Sequence, residues 1–399
     1  MPLEHLLNAE FDLSLRPRWR RPGGESARRR ITDLQWHALF LAECGDSVVV
    51  PEPAPEDFVG YLERNGIELP VLTVDPDCRT DRILSPLGWN TAAGERNRRH
   101  DRRAEHPHLD AVRRANGRTF SAGLETELFG DDHTIATISS EAELRAVLEG
   151  LPDMGEGLVL KAEHGNAGLG NRRLQERELS EGDATVVRRF FDEDLRAVLE
   201  WWRPRILDLC STFTVLPGGG MAGFRLHEVV NTADGAFIGA LFHEDATRLE
   251  RWRPALVEAA TTIARSVARV GYIGPACTDA FVWDDNGEPR LRPLVDLNAR
   301  REMSAGASSL WRRLGGEGTA YWRFYTRRKI VLPDSYDELD CALGGDAYDP
   351  SRRRGVLVTA PLWLGNQRRS AAKAAVFFLG DDPDDARALD ARFRRRFER

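Results

Sequence analysis

The stretch "GLVLKAEHGNAGLGNRRL", residues 157–174, joins an apolar run to a glycine-rich turn. Lys161 ends the apolar run and is one of only three lysines in a chain with 56 basic residues. Gly165, Gly168 and Gly170 let backbone N–H groups approach an anion without interference from a Cβ atom. An ammonium group beside such a loop suits a triphosphate. More strand follows and Gly-Lys-Ser/Thr is missing, so the loop is neither a Walker A nor a dinucleotide-binding motif, and a plain β-hairpin turn remains the alternative.

A second group of polar residues lies about 120 residues further along the chain. Asp279 belongs to the strand pattern "TDAFVW", and Asp296 and Asn298 belong to "LVDLNAR". Alternate residues of a strand share a face, and the turn "DDNGE" joins the two patterns, so the three side chains should lie together. Two carboxylates and an amide oxygen are ligands that Mg²⁺ accepts. An edge strand with solvated polar residues is the alternative, although the apolar run "RPLVDLN" favours a central strand, where two buried acids need a cation.

The charge and the cysteine content limit the class of protein. A net charge of −7 over 399 residues argues against a general nucleic-acid binder, which needs a positive surface. The five cysteines form no CxxC pair, so their spacing indicates neither a disulfide framework nor a zinc site. No secretory signal is recognisable, and no stretch approaches the roughly 20 apolar residues of a membrane span. We therefore expect a cytoplasmic protein that binds neither nucleic acid nor membrane.

The apolar pattern divides the chain into an α/β part and a strand-rich part. Residues 46–75 predict a strand, a helix and a strand in succession, which is a βαβ unit with parallel strands. We expect a loosely ordered basic arm over residues 1–30 and an α/β domain over 31–130. Residues 131–205 and 206–399 are predicted to contain strands with glycine turns, and helices between them.

The order of these motifs resembles that of the ATP-grasp superfamily of carboxylate–amine ligases over roughly residues 110–310. A glycine loop with its lysine comes first, a strand ending in glutamate ("AVLEW") follows, and the aspartate-bearing strands come last. The segments "SPLGWN" and "RRANGRTFSAGLETEL" look like the pre-ATP-grasp domain of peptide-ligase relatives. The resemblance implies a fold of mixed α/β and α+β class. A pre-ATP-grasp α/β domain over 31–130 would precede a small ATP-grasp subdomain with the flap (131–205) and a large one with a C-terminal extension (206–399).

The resemblance also implies roles for individual residues. Those implied to bind the nucleotide are Arg118, Lys161, Gly165, Gly168, Gly170 and the adenine hinge Leu199, Glu200 and Trp201. Arg118 stands where relatives often have lysine, which keeps the charge but changes its geometry. The implied metal ligands are Asp279, Asp296 and Asn298.

One position departs from the pattern of the superfamily. Several members have an arginine for the reacting carboxylate two residues before the first metal acid, and Cys277 stands there in this chain. Arg225, Arg300 and Arg301 are the candidates for that catalytic role, with a surface or structural role as the alternative for each.

The activity that the resemblance implies is ATP-dependent ligation of a carboxylate to an amine through an acyl phosphate. ATP and one or two Mg²⁺ ions would be required, with Mn²⁺ as a substitute, and the substrates would be small molecules resembling amino acids or peptides. Dimers are common among the relatives, so a homodimer is one candidate for the oligomeric state. A phosphotransferase on the same scaffold and a non-catalytic nucleotide-binding regulator are the two rival interpretations.

Overall fold

A four-stranded parallel sheet forms the N-terminal part of the protein. The computed structural model describes residues 1–19, 24–74, 80–130, 133–166, 169–192, 196–243, 247–365 and 368–399. The strands of this first sheet are β1 (Leu3–Leu6), β2 (Ser47–Val49), β3 (Val71–Thr73) and β4 (Ile83–Pro86), in the order β3-β2-β1-β4.

The chain begins inside this sheet rather than as a separate arm. β1 pairs with β2 on one side and with β4 on the other, and Glu4 is completely buried. Leu7 and Phe11, which follow β1, are buried in the main core. The predicted loose arm over residues 1–30 is therefore wrong for its first part. The strand β1 has only four residues, and the arginines that follow it give the segment its basic character.

The helices of this part are α1 (Phe11–Ser14), α2 (Glu25–Asp33), α3 (Glu56–Arg64), α4 (Thr91–Asn97), α5 (Leu109–Ala115) and α6 (Arg118–Phe129), and a 3₁₀ segment spans Leu34–Leu41. α3 joins β2 to β3, so the predicted βαβ unit with parallel strands is confirmed. Its apolar residues Phe58, Tyr61 and Leu62 are buried, as their helical spacing predicts.

A second, antiparallel sheet carries the glycine-rich segment. Its elements are β5 (Thr134–Ile138), α7 (Glu141–Gly150), β6 (Leu158–Asn166), β7 (Leu169–Leu174), α8 (Glu181–Asp192) and β8 (Ala197–Trp201), with the strand order β5-β8-β6-β7. Leu158, Leu160 and Ala162 of β6 belong to the separate core beneath this sheet. Because side chains alternate along a strand, Lys161 lies on the opposite face.

An eight-stranded antiparallel sheet forms the rest of the molecule. Its strands are β9 (Arg205–Val215), β10 (Met221–Asn231), β11 (Phe237–His243), β12 (Gly274–Asp285), β13 (Glu288–Asn298), β14 (Thr319–Thr326), β15 (Gly355–Val358) and β18 (Lys373–Gly380), while β16 (Trp363–Leu364) pairs with β17 (Arg369–Ser370). The helices are α9 (Thr247–Glu250), α10 (Arg253–Arg269), α11 (Ala305–Arg313), α12 (Tyr336–Leu343) and α13 (Pro383–Phe397).

The strand order of the large sheet is β13-β12-β9-β10-β11-β14-β18-β15. The C-terminal strands therefore complete the sheet that carries Asp279 and Asp296. Phe11 and Trp36 from the N-terminal part share one core with Leu241 and Phe377 of this sheet. No helix within the described ranges is long and apolar enough to cross a bilayer.

Replacing Gly239 with alanine should destabilise the large sheet. A Cβ atom at Gly239 of β11 would lie 2.2 Å from the carbonyl oxygen of Trp322 on β14, so the two backbones would have to separate. We expect a loss of about 3 kcal/mol in the free energy of unfolding, measured by urea denaturation. Gly123→Ala is the matched control, because a Cβ atom there meets nothing within 4 Å on α6, and alanine should stabilise that helix by about 1 kcal/mol. Equal urea midpoints for Gly239→Ala and Gly123→Ala would contradict the close approach of β11 and β14 at Gly239.

Candidate active site

The register of the large sheet lines up chemically active side chains across four strands. Asp279 of β12 lies directly opposite Asp296 of β13 and, on its other side, opposite Cys210 of β9. Cys210 in turn lies opposite His227 of β10. Two residues along, the next row on these strands consists of Arg225, Thr212, Cys277 and Asn298. The sheet thus brings the three predicted metal ligands together.

The two aspartates form an acid pair in which the pKa of both carboxyl groups is raised. Burial, together with the charge of Asp296, raises the pKa of Asp279 to about 7. Burial also raises the pKa of Asp296, although Arg118 opposes the shift. Asn298 donates a hydrogen bond from Nδ2 to Asp279 Oδ2 at 3.2 Å, and its Oδ1 accepts one from Arg300 Nη2 at 3.1 Å. A hard divalent cation fits this donor set, because it would relieve the repulsion and accept both carboxylate and amide oxygens.

Two cations face the acid pair from other elements. Arg118, the first residue of α6, places Nη1 2.8 Å from Asp296 Oδ2. Lys161 of β6 places Nζ 2.7 Å from Glu200 Oε2, and burial lowers the pKa of this lysine to about 8. Glu163 ties β6 to the start of α6, since it accepts a 2.7 Å hydrogen bond from the Thr119 hydroxyl. The strand β6 and the helix α6, which carries Arg118, are therefore held together.

The acid pair and the two cations line one cleft with an empty volume of about 1000 Å³, including space open to solvent. The predicted residues that line it are Arg118, Lys161, Gly165, Asp279, Asp296, Asn298 and Arg300. The lining also contains residues that were not predicted from the sequence, among them Arg205, Asp208, Phe237, Phe281 and Glu302. Arg205 and Phe281 lie in contact, with the guanidinium carbon 4.7 Å from the ring centroid. No local motif marks them, because they come from different strands.

The three residues of the predicted adenine hinge lie outside the lining of this cleft. Among the described residues, the cleft lining does not include Leu199, Glu200 or Trp201. Leu199 and Trp201 pack in the core beneath the second sheet, and the Trp201 N–H donates to the His133 carbonyl at 3.0 Å. Glu200 points to the other face, where it contacts Lys161. An adenine contact by these three residues stays a prediction.

The three candidate arginines have different positions. Arg300 lines the cleft, but Asp12 holds it through bonds of 2.8 and 3.1 Å to Nε and Nη2. Arg225 is exposed on β10. Arg301 is directed toward the N-terminal sheet, since its Nη2 donates to the Ser85 hydroxyl at 2.8 Å. The structure therefore brings only Arg300 of the three to the cleft lining among the described residues.

The structure describes only two of the three glycines predicted to bind phosphate. Gly165 lines the cleft, and Gly170 belongs to β7. Gly168 lies outside the described residues. The role of the loop in phosphate binding remains a prediction from the sequence.

A buried ionic network supports Lys161 from behind. Arg292 of β13 donates two hydrogen bonds of 2.6 Å to Glu125 of α6 and one of 2.7 Å to Glu200, which also contacts Lys161. Burial alone would raise the pKa of Glu200, but the charges of Lys161 and Arg292 outweigh it and hold that pKa at about 2. The network joins α6 and the two antiparallel sheets, and it fixes the position of the lysine.

Removing Arg292 should therefore destabilise the protein. Arg292→Ala leaves two carboxylates buried with less compensation, so we expect a loss of about 3–5 kcal/mol in the free energy of unfolding. Arg290→Ala, two residues earlier on β13, is the control, because its side chain is 61% exposed and its pair with Asp285 should contribute less than about 1 kcal/mol. Urea denaturation of both variants measures the difference. A small and equal effect would show that the network contributes little.

The comparisons with known proteins rest on structure. No protein-family model matches the chain, and no curated protein matches it in sequence. The phosphoribosylamine–glycine ligase of Thermotoga maritima aligns with 14% identity over 99% of this chain and 97% of that one, with a TM-score of 0.53. The N5-carboxyaminoimidazole synthetase of Staphylococcus aureus, in complex with ADP, aligns with 12% identity over 98% of each chain and a TM-score of 0.53.

A third solved structure is a biotin carboxylase domain. It belongs to the 2-oxoglutarate carboxylase of Hydrogenobacter thermophilus, in complex with MgADP and bicarbonate. It aligns with 10% identity over 88% of this chain and 84% of that one, with a TM-score of 0.51. At such low identity the likeness shows the fold. This chain has the ATP-grasp fold preceded by a pre-ATP-grasp domain, which confirms the predicted mixed α/β and α+β class.

Proposed function

We propose that the protein is an ATP-dependent ligase that joins a small-molecule carboxylate to an amine and releases ADP and phosphate. The observation that supports this most is the convergence of an acid pair, Asp279 and Asp296, with the cations Arg118 and Lys161 in one cleft. The fold agrees with this proposal, because the similar solved structures include ligases and complexes with ADP or MgADP.

The proposed roles follow from the charges. Asp279, Asp296 and Asn298 would hold one or two Mg²⁺ ions, and bound Mg²⁺ supplies neutralisation of the phosphate charge. Mn²⁺ should substitute, because it accepts the same oxygen ligands. Lys161 and Arg118 would bind phosphate oxygens. To do so, Lys161 would exchange its contact with Glu200, and Arg118 its contact with Asp296, for a contact with phosphate. Positioning and charge compensation would then supply most of the rate acceleration.

The chemistry of the proposed reaction needs no covalent nucleophile on the protein. A carboxylate oxygen of the substrate attacks the γ-phosphorus, the bond to the β-phosphate oxygen breaks, and ADP leaves. The amine then attacks the carbonyl carbon of the acyl phosphate, phosphate departs, and the nitrogen loses a proton. Amino acids and short peptides are the first substrates to examine.

The test is a screen of such substrates in which two signals are measured. Carboxylate-dependent exchange of ¹⁸O from the β,γ-bridge into the non-bridging β-phosphate positions of ATP would report reversible acyl-phosphate formation. Amine-dependent ADP release with a new amide, seen by mass spectrometry, would report ligation. A stable phosphorylated product without amide would contradict the proposal and favour a phosphotransferase. Binding of ATP without turnover by any substrate pair would favour a nucleotide-binding regulator.

A further inference from the structure

Three metal-binding side chains of different kinds converge beside the acid pair. A ligand atom from each of Cys210, His227 and Glu302 lies within 4.8 Å of the other two. Cys210 and His227 are directly opposite each other on β9 and β10, and Glu302 follows the end of β13. These residues are 17 and 75 positions apart, so the cluster has none of the short spacings by which zinc sites are recognised in a sequence.

The cluster is largely buried, and two of its members already contact each other. Cys210 is 1% exposed and His227 is 6% exposed, while Glu302 is partly buried. His227 Nε2 lies 2.8 Å from Glu302 Oε1, and the Ser304 hydroxyl lies 3.4 Å from the same nitrogen. Cys210 and Glu302 also line the cleft, so a ligand in the cleft can reach the cluster.

We propose that Cys210, His227 and Glu302 bind a divalent transition metal of the zinc class. A thiolate, an imidazole and a carboxylate are the donors that zinc takes, at about 2.3 Å for sulfur and about 2.0–2.2 Å for nitrogen and oxygen. Around such an ion the donor atoms lie roughly 3.5 Å apart. On loading, donor atoms that are now up to 4.8 Å apart would approach one another, while His227 Nε2 and Glu302 Oε1, now 2.8 Å apart, would separate slightly. Three protein ligands leave a coordination position open, and that position faces the cleft.

The donor chemistry separates this site from the acid pair. Asp279, Asp296 and Asn298 offer oxygen alone, which suits Mg²⁺, whereas the sulfur and nitrogen donors favour a softer ion. The two donor sets are centred two strands apart, roughly 10 Å, since neighbouring strands are about 4.8 Å apart. The open position would take a carboxylate, carbonyl or amine of a molecule bound in the same cleft.

The test uses Co²⁺ as the probe with the full-length, chelator-treated protein. We expect one Co²⁺ per chain with a thiolate-to-cobalt charge-transfer absorption in the near ultraviolet, retained in excess Mg²⁺. X-ray absorption of the zinc-loaded wild type should show one sulfur neighbour, a measurement that needs no variant. Oxygen donors alone cannot produce either signal, so Co²⁺ bound at the acid pair is distinguished.

Variants then assign the ligands. Cys210→Ser and Cys210→Ala should both lose the charge-transfer absorption. Loss of an outer-shell partner weakens metal binding by about 10–100-fold, and His227→Gln, which removes a direct ligand, should weaken Co²⁺ binding by more than that. Cys341→Ser, at an exposed cysteine, and Cys277→Ser should retain the absorption. Absence of the thiolate signal from the wild type, or its persistence in both Cys210 variants, would overturn the proposal. Its loss in Cys277→Ser alone would overturn the three-residue assignment.

Discussion

Lys161→Ala should lower kcat/KM for ATP by at least about 100-fold, the scale of loss when one preorganised charge donor is removed from a reaction centre. Lys161 lines the cleft but is only 3% exposed, so its ammonium group would meet phosphate oxygens with little water between them. Electrostatic attraction is stronger under those conditions than at an exposed lysine. Steady-state kinetics with ATP as the varied substrate measure the effect.

The control for this variant must separate binding from folding. Lys161→Ala also removes one of the cations that contact Glu200, which will itself reduce stability. Lys329→Ala removes an exposed lysine and should leave kcat/KM near that of the wild type. Lys161→Arg keeps the charge, but its planar fork fits a site shaped for an ammonium group poorly, so activity should recover only in part. Wild-type kinetics in a folded Lys161→Ala protein would refute a role for this residue in ATP binding.

Asp296→Asn should abolish Mg²⁺-dependent turnover, with kcat reduced by at least about 1000-fold. The substitution keeps the size of the side chain and removes one of the two carboxylates, so the donor set loses half of its formal negative charge. Arg118 loses its 2.8 Å ion-pair partner at the same time. The measurement is kcat as a function of Mg²⁺ concentration, because lost affinity shifts the curve whereas a lost catalytic geometry lowers its plateau.

Asp284→Asn is the matched control for the acid pair. Asp284 is exposed at the end of β12 and accepts a 2.7 Å hydrogen bond from the Gly287 N–H in the turn. Its substitution should leave the Mg²⁺ curve unchanged. If Asp296→Asn and Asp284→Asn behaved alike, the assignment of the metal ligands would fail.

Local patterns allowed much of the site to be predicted. Asp296 and Asn298 share a face because they are two residues apart on one strand, and the turn at Asn286 and Gly287, both with positive φ, joins this strand to that of Asp279. A register shift between Asp279 and Phe281, which no sequence pattern indicates, then places Asp279 directly opposite Asp296. The same reasoning placed Lys161 on an apolar strand ahead of the glycine loop, although β6 continues past the lysine to Asn166 rather than ending there. Such relations depend on neighbours in the chain, which a sequence displays directly.

Contacts between distant residues could not be predicted in this way. Arg292 contacts Glu125 and Glu200 across 167 and 92 positions, and it resembles any other arginine of an arginine-rich chain until the sheets are assembled. The backbone N–H of Arg301 donates a hydrogen bond to the Leu87 carbonyl in the N-terminal part, and this distant contact orients Arg301 toward that part. β1 is four residues long, too short to give a clear alternation, although both its neighbours pair with it.

The alignment of β9 between β10 and β12 has a consequence for changes in chain length. Shifting a strand by one position turns each of its side chains to the other face of the sheet. One residue inserted or deleted ahead of Cys210 within β9, without a compensating bulge, would therefore rotate this thiol away from both His227 and Asp279. Length variation should accordingly be tolerated in the turns at either end of β9 but not within it. A codon gained or lost in this strand would thus remove the thiol from the proposed metal site, whereas Asp279 and Asp296 would stay opposite each other on β12 and β13.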